Sequence, residues 1–215
     1  MSNHAALFQK IQSIYKGYSN EYRTSTQPFY LAQQNRYPTA AEFDPESLLI
    51  REPLIEHVGS LPIIAALLYP HINDPEVDFG RALSMLAVHD IGELEVGDET
   101  TFTKGADVRD EERDAALRLL DDEGMRKLFE EAYAAKTKTA KFAKSVDKIT
   151  PDILDALTPP EISIVRYKHF TGTSAAEIMP LIRKHKHPYM TWNPFLMEFH
   201  LWLLEYIEEE LKKYY

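Results

Sequence analysis

The sequence contains no cysteine among its 215 residues. This absence excludes disulfides, thiolate metal sites and a cysteine nucleophile, which leaves histidine and carboxylate side chains as strong metal ligands. A long apolar run is also missing, because the longest stretch, from Leu61 to Tyr69, contains a proline and falls far short of the roughly 20 residues of a membrane span. The first residues show no basic region followed by an apolar run, so they do not resemble a signal peptide. We therefore expect a cytoplasmic protein without a membrane partner.

The sequence has no excess of basic charge. Its 24 lysine and arginine side chains are outnumbered by 34 aspartates and glutamates, which gives a formal net charge of −10. An acidic surface repels the phosphate backbone of nucleic acids. The locally basic stretch at residues 183–187 is five residues long and is explained as well by a solvated helix end. We therefore expect no nucleic-acid partner.

Apolar residues recur at helical spacing along most of the sequence, and no run of strict alternation indicates a strand. At 215 residues the chain is long enough to bury a sizeable core within one domain. No internal repeat or interdomain linker interrupts the pattern. The sequence thus predicts a single all-α domain over residues 1–215, with its catalytic core at about 30–150 and C-terminal helices at 159–215 packed on that core.

The region around His57 combines a long loop with an apolar helix. Residues 20–47 lack periodicity and contain several prolines, which predicts a packed loop long enough to serve as a functional cover. A helix should begin near Pro53 and carry His57. Because a proline inside a helix removes a backbone donor, we expect a kink or a break at Pro62.

Helix start and stop signals organise the rest of the chain. The Asp-Pro pair at residues 74–75 predicts a helix that ends close to residues 89–90. After Gly124 we expect one long helix, which carries Asp147 and is followed by Pro151. Further helices are predicted downstream, over residues 159–172 and 174–186 and from residue 193 onward.

Four polar side chains on these apolar segments are the most informative feature of the sequence. A lone histidine on an apolar face is usually a core residue, and a lone aspartate could simply pair with a neighbouring lysine. A buried acid is costly, however, unless it is paired or binds a metal, and helical bundles build metal sites by converging side chains in their core. Imidazole and carboxylate together suit one divalent transition metal, namely Co, Mn, Fe, Ni or Zn. The predicted ligands are His57, His89, Asp90 and Asp147.

Two acids close behind the second histidine are candidates for proton transfer. Glu93 follows His89 by four residues, so a continuing helix places both side chains on one face. Asp98 lies in a Gly-Asp turn that can fold back over the metal. Since either carboxylate could exchange a proton with a water or a leaving alkoxide, we interpret Glu93 and Asp98 as catalytic, and Glu95 and Glu99 as solvated helix-end acids.

These residues resemble the HD superfamily of metal-dependent phosphohydrolases, whose signature is one His, then His-Asp, then a lone Asp on helices. The similarity covers roughly residues 30 to 150 and is greatest to the 5′-deoxynucleotidase branch. That branch removes phosphate from deoxyribonucleoside 5′-monophosphates. The resemblance implies an HD-type helical bundle and a nucleotide substrate. It is carried by Glu56-His57, by Val88-His89-Asp90-Ile91-Gly92-Glu93 with Gly97-Asp98, and by Val146-Asp147-Lys148.

A second similarity lies within the long loop. The segment Asn35-Arg36-Tyr37-Pro38 is similar to the Asn-Arg-Trp-Pro segment of that branch, whose arginine grips the substrate phosphate. The resemblance implies that Arg36 binds phosphate, a role suited to the paired donors of a guanidinium. Arg51 is the competing phosphate contact. Tyr37 replaces the tryptophan of the branch, which affects contact with the sugar or base.

The leading hypothesis is therefore a phosphatase for (deoxy)nucleoside 5′-monophosphates. No histidine occurs between His89 and His169, whereas two-metal members of the superfamily carry extra histidines there, so we expect one metal and a monoester substrate. The alternatives are an HD-type hydrolase of cyclic phosphodiesters or nucleoside triphosphates, and a regulatory module that binds nucleotides without turnover. The aromatic C-terminal helix either completes the core or forms a homodimer interface.

Overall fold

The computed structural model describes residues 3–23, 44 and 51–215. Over these ranges the chain forms α-helices and short 3-10 turns without a β-strand, which confirms the predicted all-α fold. None of the described helices combines the length and the apolar character needed to cross a membrane. The helices are α1 (Asn3–Asn20), α2 (Leu54–Leu68), α3 (Phe79–Val88), α4 (Glu93–Val96), α5 (Ala106–Leu119), α6 (Glu123–Ala134), α7 (Lys138–Leu157), α8 (Pro160–Thr171), α9 (Ala175–Lys186) and α10 (Pro194–Leu211).

Helix α7 is the centre of the bundle and contacts α2, α3, α6 and α10. Its first turn is capped by Thr137, whose hydroxyl accepts a hydrogen bond from the Ala140 amide at 3.1 Å. Phe142, Val146 and Ile149, spaced three to four residues apart, are completely buried on one face. Asp147 therefore lies on a helix that is surrounded by apolar neighbours.

Helix α2 begins next to Pro53, as predicted, and places His57 in its buried stripe. His57, Leu61 and Ala65 have no exposed surface and follow one another at four-residue spacing. Of the kink or break predicted at Pro62, the break is wrong, because the helix continues through this residue to Leu68. The helix survives the lost backbone hydrogen bond because packing of its apolar face outweighs the local cost of proline, about 3 kcal/mol.

The predicted start of the next helix, at Asp74, is also wrong. Asp74 does not cap a helix, since its carboxylate accepts a hydrogen bond from the Glu76 amide and closes a local turn instead. Helix α3 starts four residues later, where Asp78 accepts a hydrogen bond from the Arg81 amide at 2.9 Å. The predicted end at residues 89–90 is confirmed, because the last helical residue is the one before His89.

The single long helix expected after Gly124 is divided into α6 and α7 at Ala135. This residue has a left-handed backbone with φ of 47°, which ends α6 and redirects the chain before the cap of α7. Helix α7 then runs past Pro151 to Leu157. The downstream predictions are confirmed by α8, α9 and α10, the last of which is capped by Asn193.

The outer face of α10 carries an aromatic ladder in which Phe195, Phe199, Trp202 and Tyr206 stack in succession. Trp202 and Tyr206 are more than half exposed. The homodimer interface expected from this helix stays a prediction.

A buried polar cluster joins α7 to the C-terminal helices. Asp152 pairs with the Lys186 ammonium, and the Nδ1 atom of His200 lies 3.8 Å from the second oxygen of Asp152. His200 has no exposed surface. Burial, with a smaller effect from the nearby His187 ring, lowers the pKa of His200 to about 4. The folded protein thus keeps His200 neutral at a pH where the unfolded chain binds a proton.

We expect the His200→Gln substitution to reduce the acid sensitivity of the fold. A group with a lowered pKa contributes stability above its unfolded pKa and loses it as the pH falls through the folded pKa. The stability advantage of the wild type over the variant should therefore shrink by about 3 kcal/mol between pH 7 and pH 4. Urea unfolding at several pH values measures this difference, with the exposed His4→Gln variant as control. A pH-independent difference would contradict the assignment.

Candidate metal centre

Two histidines and an aspartate from different helices meet at the centre of the bundle. His57 comes from α2, whereas His89 and Asp90 directly follow α3. An oxygen of Asp90 lies 3.0 Å from Nε2 of His89 and 3.5 Å from Nε2 of His57. The three potential ligand atoms lie within 4.8 Å of one another, so this group could hold a metal ion.

Asp147 reaches the same group from α7. Its Oδ1 atom lies 3.5 Å from Nε2 of His89 and 3.6 Å from Nε2 of His57. Its Oδ2 atom faces the other way, towards two ammonium groups, 3.0 Å from that of Lys144 and 3.1 Å from that of Lys148. The structure thus brings the four predicted ligands together, with one oxygen of Asp147 directed at the imidazoles.

The chemistry of these donors fits a metal ion. Among the described residues, Nε2 of His57 and Nε2 of His89 are buried without a hydrogen-bond partner. Nδ1 of His89 lies 2.8 Å from the Leu86 carbonyl, so a proton on Nδ1 leaves the Nε2 lone pair directed at the group. Burial, assisted by the Arg23 guanidinium, lowers the pKa of His57 to about 4, which keeps this imidazole neutral and able to ligate.

The electrostatics of the group also call for a cation. Burial alone would lower the pKa of His89, but the carboxylates of Asp90 and Asp147 overcome this effect and raise it to about 10. The pKa of Asp90 falls well below its ordinary range, because His89 and Arg23 outweigh the opposing effect of burial. A positive charge between these two aspartates is therefore favoured, whether a proton or a metal supplies it.

Arg23 is a site residue that sequence reasoning missed. Its guanidinium is 3.0 Å from Asp90 and 3.6 Å from Asp98, and the residue is only 9% exposed. A short antiparallel pairing places it there: the Arg23 amide donates to the Glu52 carbonyl at 2.8 Å, and the Leu54 amide donates to the Glu21 carbonyl at 2.9 Å. The segment after α1 is thereby fixed against the start of α2.

The two arginines predicted to contact phosphate have different outcomes. Arg36 lies outside the described residues, as does most of the predicted loop at 20–47. Arg51 donates from Nε to the Arg23 carbonyl at 2.8 Å and from Nη2 to the Tyr22 carbonyl at 3.3 Å. Arg51 therefore holds the segment that presents Arg23, and it is not among the residues that line the central cavity.

Glu93 lies beside the metal group in a tightly packed position. A Cβ atom on the preceding Gly92 would lie 2.1 Å from the Glu112 carbonyl oxygen, so only glycine permits this approach of α4 to α5. The Lys104 ammonium is 3.5 Å from Glu93 and also pairs with Glu112. Burial raises the pKa of Glu93 well above its ordinary value, with further contributions from Asp90 and Asp98. Burial and the neighbouring carboxylates therefore favour the protonated form of Glu93.

Asp98 is brought back to the group by Gly97. Gly97 has a φ of 82°, a conformation that side chains with a Cβ rarely adopt, and it reverses the chain after α4. The Asp98 amide then approaches the Glu21 carboxylate at 3.4 Å, and the Asp98 carboxylate faces Arg23. The turn thus places Asp98 beside Arg23, where the two side chains fix one another.

A cavity of about 340 Å³ opens beside these residues. His89, Asp90 and Asp147 lie at its wall, together with the predicted catalytic residues Glu93 and Asp98. Basic and aromatic side chains surround the rest of the space, and they include Arg23, Lys104, Arg109, Arg113, Tyr133 and Tyr189. This volume is large enough for a small organic ligand.

Comparison with known proteins supports a family assignment. Among curated proteins, none matches this sequence significantly. A similar fold is found in the crystal structure of a protein from Magnetospirillum magnetotacticum MS-1 that is described as a predicted metal-dependent phosphohydrolase. The two structures superpose with a TM-score of 0.66 and share 23% sequence identity, and the match covers 98% of this chain and 97% of that chain. The profile of the HD domain matches residues 49–181, which is more than half of the sequence and includes the His57, His89-Asp90 and Asp147 positions. The chain therefore belongs to the HD domain family.

Proposed function

We propose that the protein is a metal-dependent phosphohydrolase that removes phosphate from (deoxy)nucleoside 5′-monophosphates. The observation that supports this proposal most strongly is the convergence of His57, His89, Asp90 and Asp147, of which the last three also line one cavity. The structural neighbour from Magnetospirillum is described as a predicted metal-dependent phosphohydrolase. The nucleotide substrate rests on the resemblance to the 5′-deoxynucleotidase branch.

The four converging residues are proposed as the metal ligands. Neutral imidazole nitrogens and carboxylate oxygens together suit a first-row divalent ion, such as Co, Mn, Fe, Ni or Zn. When bound, such an ion supplies a nucleophilic water at neutral pH and neutralises charge on the phosphoryl group. The protein's own contribution is to hold these side chains in a preformed arrangement, with the His89 ring oriented by the Leu86 carbonyl.

Arg23 is proposed to bind the phosphoryl group from the Asp90 side. Its guanidinium is buried, faces the cavity and is fixed by two carboxylates, so little side-chain freedom remains to be lost on binding. Asp98 is proposed to hold Arg23 in this orientation and to accept a hydrogen bond from a sugar hydroxyl. The phosphate contact by Arg36 stays a separate proposal, carried by the resemblance alone.

Glu93 is proposed as the group that handles protons. The residue is 4% exposed, lines the cavity and has a raised pKa, which are the properties of a general acid at neutral pH. As the ester bond breaks, Glu93 donates its proton to the departing sugar oxygen. The Lys104 ammonium, 3.5 Å from Glu93, holds the carboxyl group in position.

The charge balance of the cavity favours a monoester over a triphosphate. Among the described residues, six lysines and arginines and six aspartates and glutamates line the cavity, and one positive charge remains when Glu93 is protonated, as proposed above. A divalent ion then raises the excess to three positive charges. A terminal phosphate carries a charge of about −1.5 to −2 at pH 7, which this excess neutralises. The larger charge of a triphosphate would exceed it.

A panel of nucleotides tests the proposal. The purified protein is supplied with Co²⁺, Mn²⁺ or Mg²⁺ and with ribo- and deoxyribonucleoside 5′-monophosphates, cyclic nucleotides and triphosphates, and the products are identified. We expect inorganic phosphate from 5′-monophosphates and its loss on chelation. Triphosphate or pyrophosphate release would favour the alternative hydrolase, and nucleotide binding without any product would favour a regulatory module.

A further inference from the structure

Two lysines form a cationic pair beside Asp147, one of the four converging residues. Lys144 and Lys148 lie one turn apart on α7, and both line the cavity. Their ammonium groups approach the same oxygen, Oδ2 of Asp147, at 3.0 and 3.1 Å. Lys148 is also 3.3 Å from the Thr101 hydroxyl, which holds its ammonium at the cavity wall. The pair is therefore fixed in place next to the four converging residues.

Asp147 cannot balance this pair. One carboxylate carries a single negative charge, whereas two ammonium groups share its outer oxygen. Its inner oxygen faces the imidazoles of His57 and His89. Lys148 is substantially buried, with 14% of its side chain exposed, so solvent compensates its charge poorly. The arrangement leaves positive charge directed into the cavity, and a bound anion would compensate it.

We propose that Lys144 and Lys148 bind the phosphoryl oxygens of the substrate and select a dianionic phosphate monoester over a monoanionic phosphodiester. This inference rests on the proposed function and names the residues that would determine its specificity for phosphate monoesters. Arg23 contacts the phosphoryl group from the Asp90 side, and the lysine pair contacts it from the Asp147 side. A terminal phosphate offers three unesterified oxygens and two negative charges to these groups, whereas a diester offers two oxygens and one charge.

The ratio of two activities measures this selectivity. The Mn²⁺-loaded protein is assayed with p-nitrophenyl phosphate and with bis-p-nitrophenyl phosphate, which share a leaving group and differ in charge. In Lys144→Met and Lys148→Met, we expect kcat/KM for the monoester to fall about 10- to 100-fold, the size of a lost charge-assisted hydrogen bond. The diester value should change less than about threefold. An equal loss for both esters would overturn the proposed selectivity.

Binding of inorganic phosphate provides a readout that needs no turnover. Titration calorimetry of the Mn²⁺-loaded protein should show a Kd that rises about 10- to 100-fold in either methionine variant. Lys148→Arg, which keeps the charge, should recover most of the affinity. Lys141→Met is the matched control, because Lys141 belongs to the same helix, one turn before Lys144 and Ser145, and is not among the cavity-lining residues.

Metal titration separates anion binding from simple neutralisation of Asp147. If the lysines only neutralise this carboxylate, the methionine variants will change Mn²⁺ affinity and leave phosphate affinity unaltered, which overturns the inference. If the wild type binds phosphate through the pair but cleaves no ester, the proposed function fails and the anion site stands. Thermal unfolding of each variant checks the fold. We expect Lys144→Met to destabilise the fold less than Lys148→Met, because the Lys144 side chain is 31% exposed.

Discussion

The His89→Ala variant is expected to lose both the bound metal and phosphate release. His89 lies 3.0 Å from Asp90 and 3.5 Å from Asp147, so its Nε2 atom is shared by both carboxylates of the group. A metal ion contributes several kcal/mol to stabilising the charge of a phosphoryl transition state. Its loss should lower kcat/KM for a 5′-monophosphate by about 1000-fold or more. Metal analysis of the purified variant and phosphate release by the same sample measure the two effects.

Thermal stability gives an independent measure of the same substitution. A ligand at 100 times its Kd stabilises the folded state by about 2.7 kcal/mol, so added Co²⁺ or Mn²⁺ should raise the Tm of the wild type and leave that of His89→Ala unchanged. The exposed His71→Ala variant serves as control and should respond like the wild type. Metal content and activity that both survive the His89 substitution would remove the basis of the hydrolase proposal.

The four proposed metal ligands could be predicted from sequence because they are polar residues at positions where the helical pattern calls for apolar ones. His57 occupies a position where the spacing of Leu61 and Ala65 demands an apolar residue, and His89-Asp90 ends an apolar helix. Such positions are costly for polar groups that lack a partner. Asp147, buried on α7, is a third such position. These three anomalies, on segments far apart in the chain, have a single explanation when the segments meet around a metal.

Arg23 could not be predicted in this way. Nothing in its neighbourhood marks it as buried, because it follows the end of α1 in a short polar segment. Its placement depends on the pairing of its amide with Glu52, on the hold that Arg51 exerts on its carbonyl, and on the turn at Gly97 that presents Asp98. These contacts join residues nearly 30 or more positions apart. Periodicity and local motifs carry no information about them.

The helix boundaries show the same division between local and tertiary effects. The helix start at Asn193 and the helix end at Gly172 are predicted from the sequence, since each depends on residues within one turn. The break at Ala135 is not predicted, because alanine is a good helix former and no local signal indicates its left-handed conformation. Pro62 and Pro151 likewise stay inside helices, where tertiary packing outweighs a local rule.

The Glu93→Gln variant is expected to retain the metal and lose most of its turnover on nucleotides. Glutamine preserves the size of the side chain and a hydrogen bond to the departing oxygen, but it cannot donate a proton. Loss of a general acid typically costs about 100- to 10,000-fold in rate, so kcat for a 5′-monophosphate should fall within this range. Glu99→Gln is the matched control, because Glu99 also lines the cavity and has no assigned role.

The leaving group distinguishes proton donation from a structural effect of Glu93→Gln. A sugar alkoxide needs a proton as it departs. In contrast, p-nitrophenolate departs without one, because its conjugate acid, p-nitrophenol, has a low pKa. The variant should therefore lose much less activity towards p-nitrophenyl phosphate than towards a nucleoside 5′-monophosphate. The close contact of Gly92 with the Glu112 backbone fixes the position of the Glu93 side chain. If the substitution disturbed this position, the hydrolysis of both substrates would slow by a similar factor. Equal losses on the two substrates, with metal content intact, would assign Glu93 to organising the site and leave the proton donor to another group.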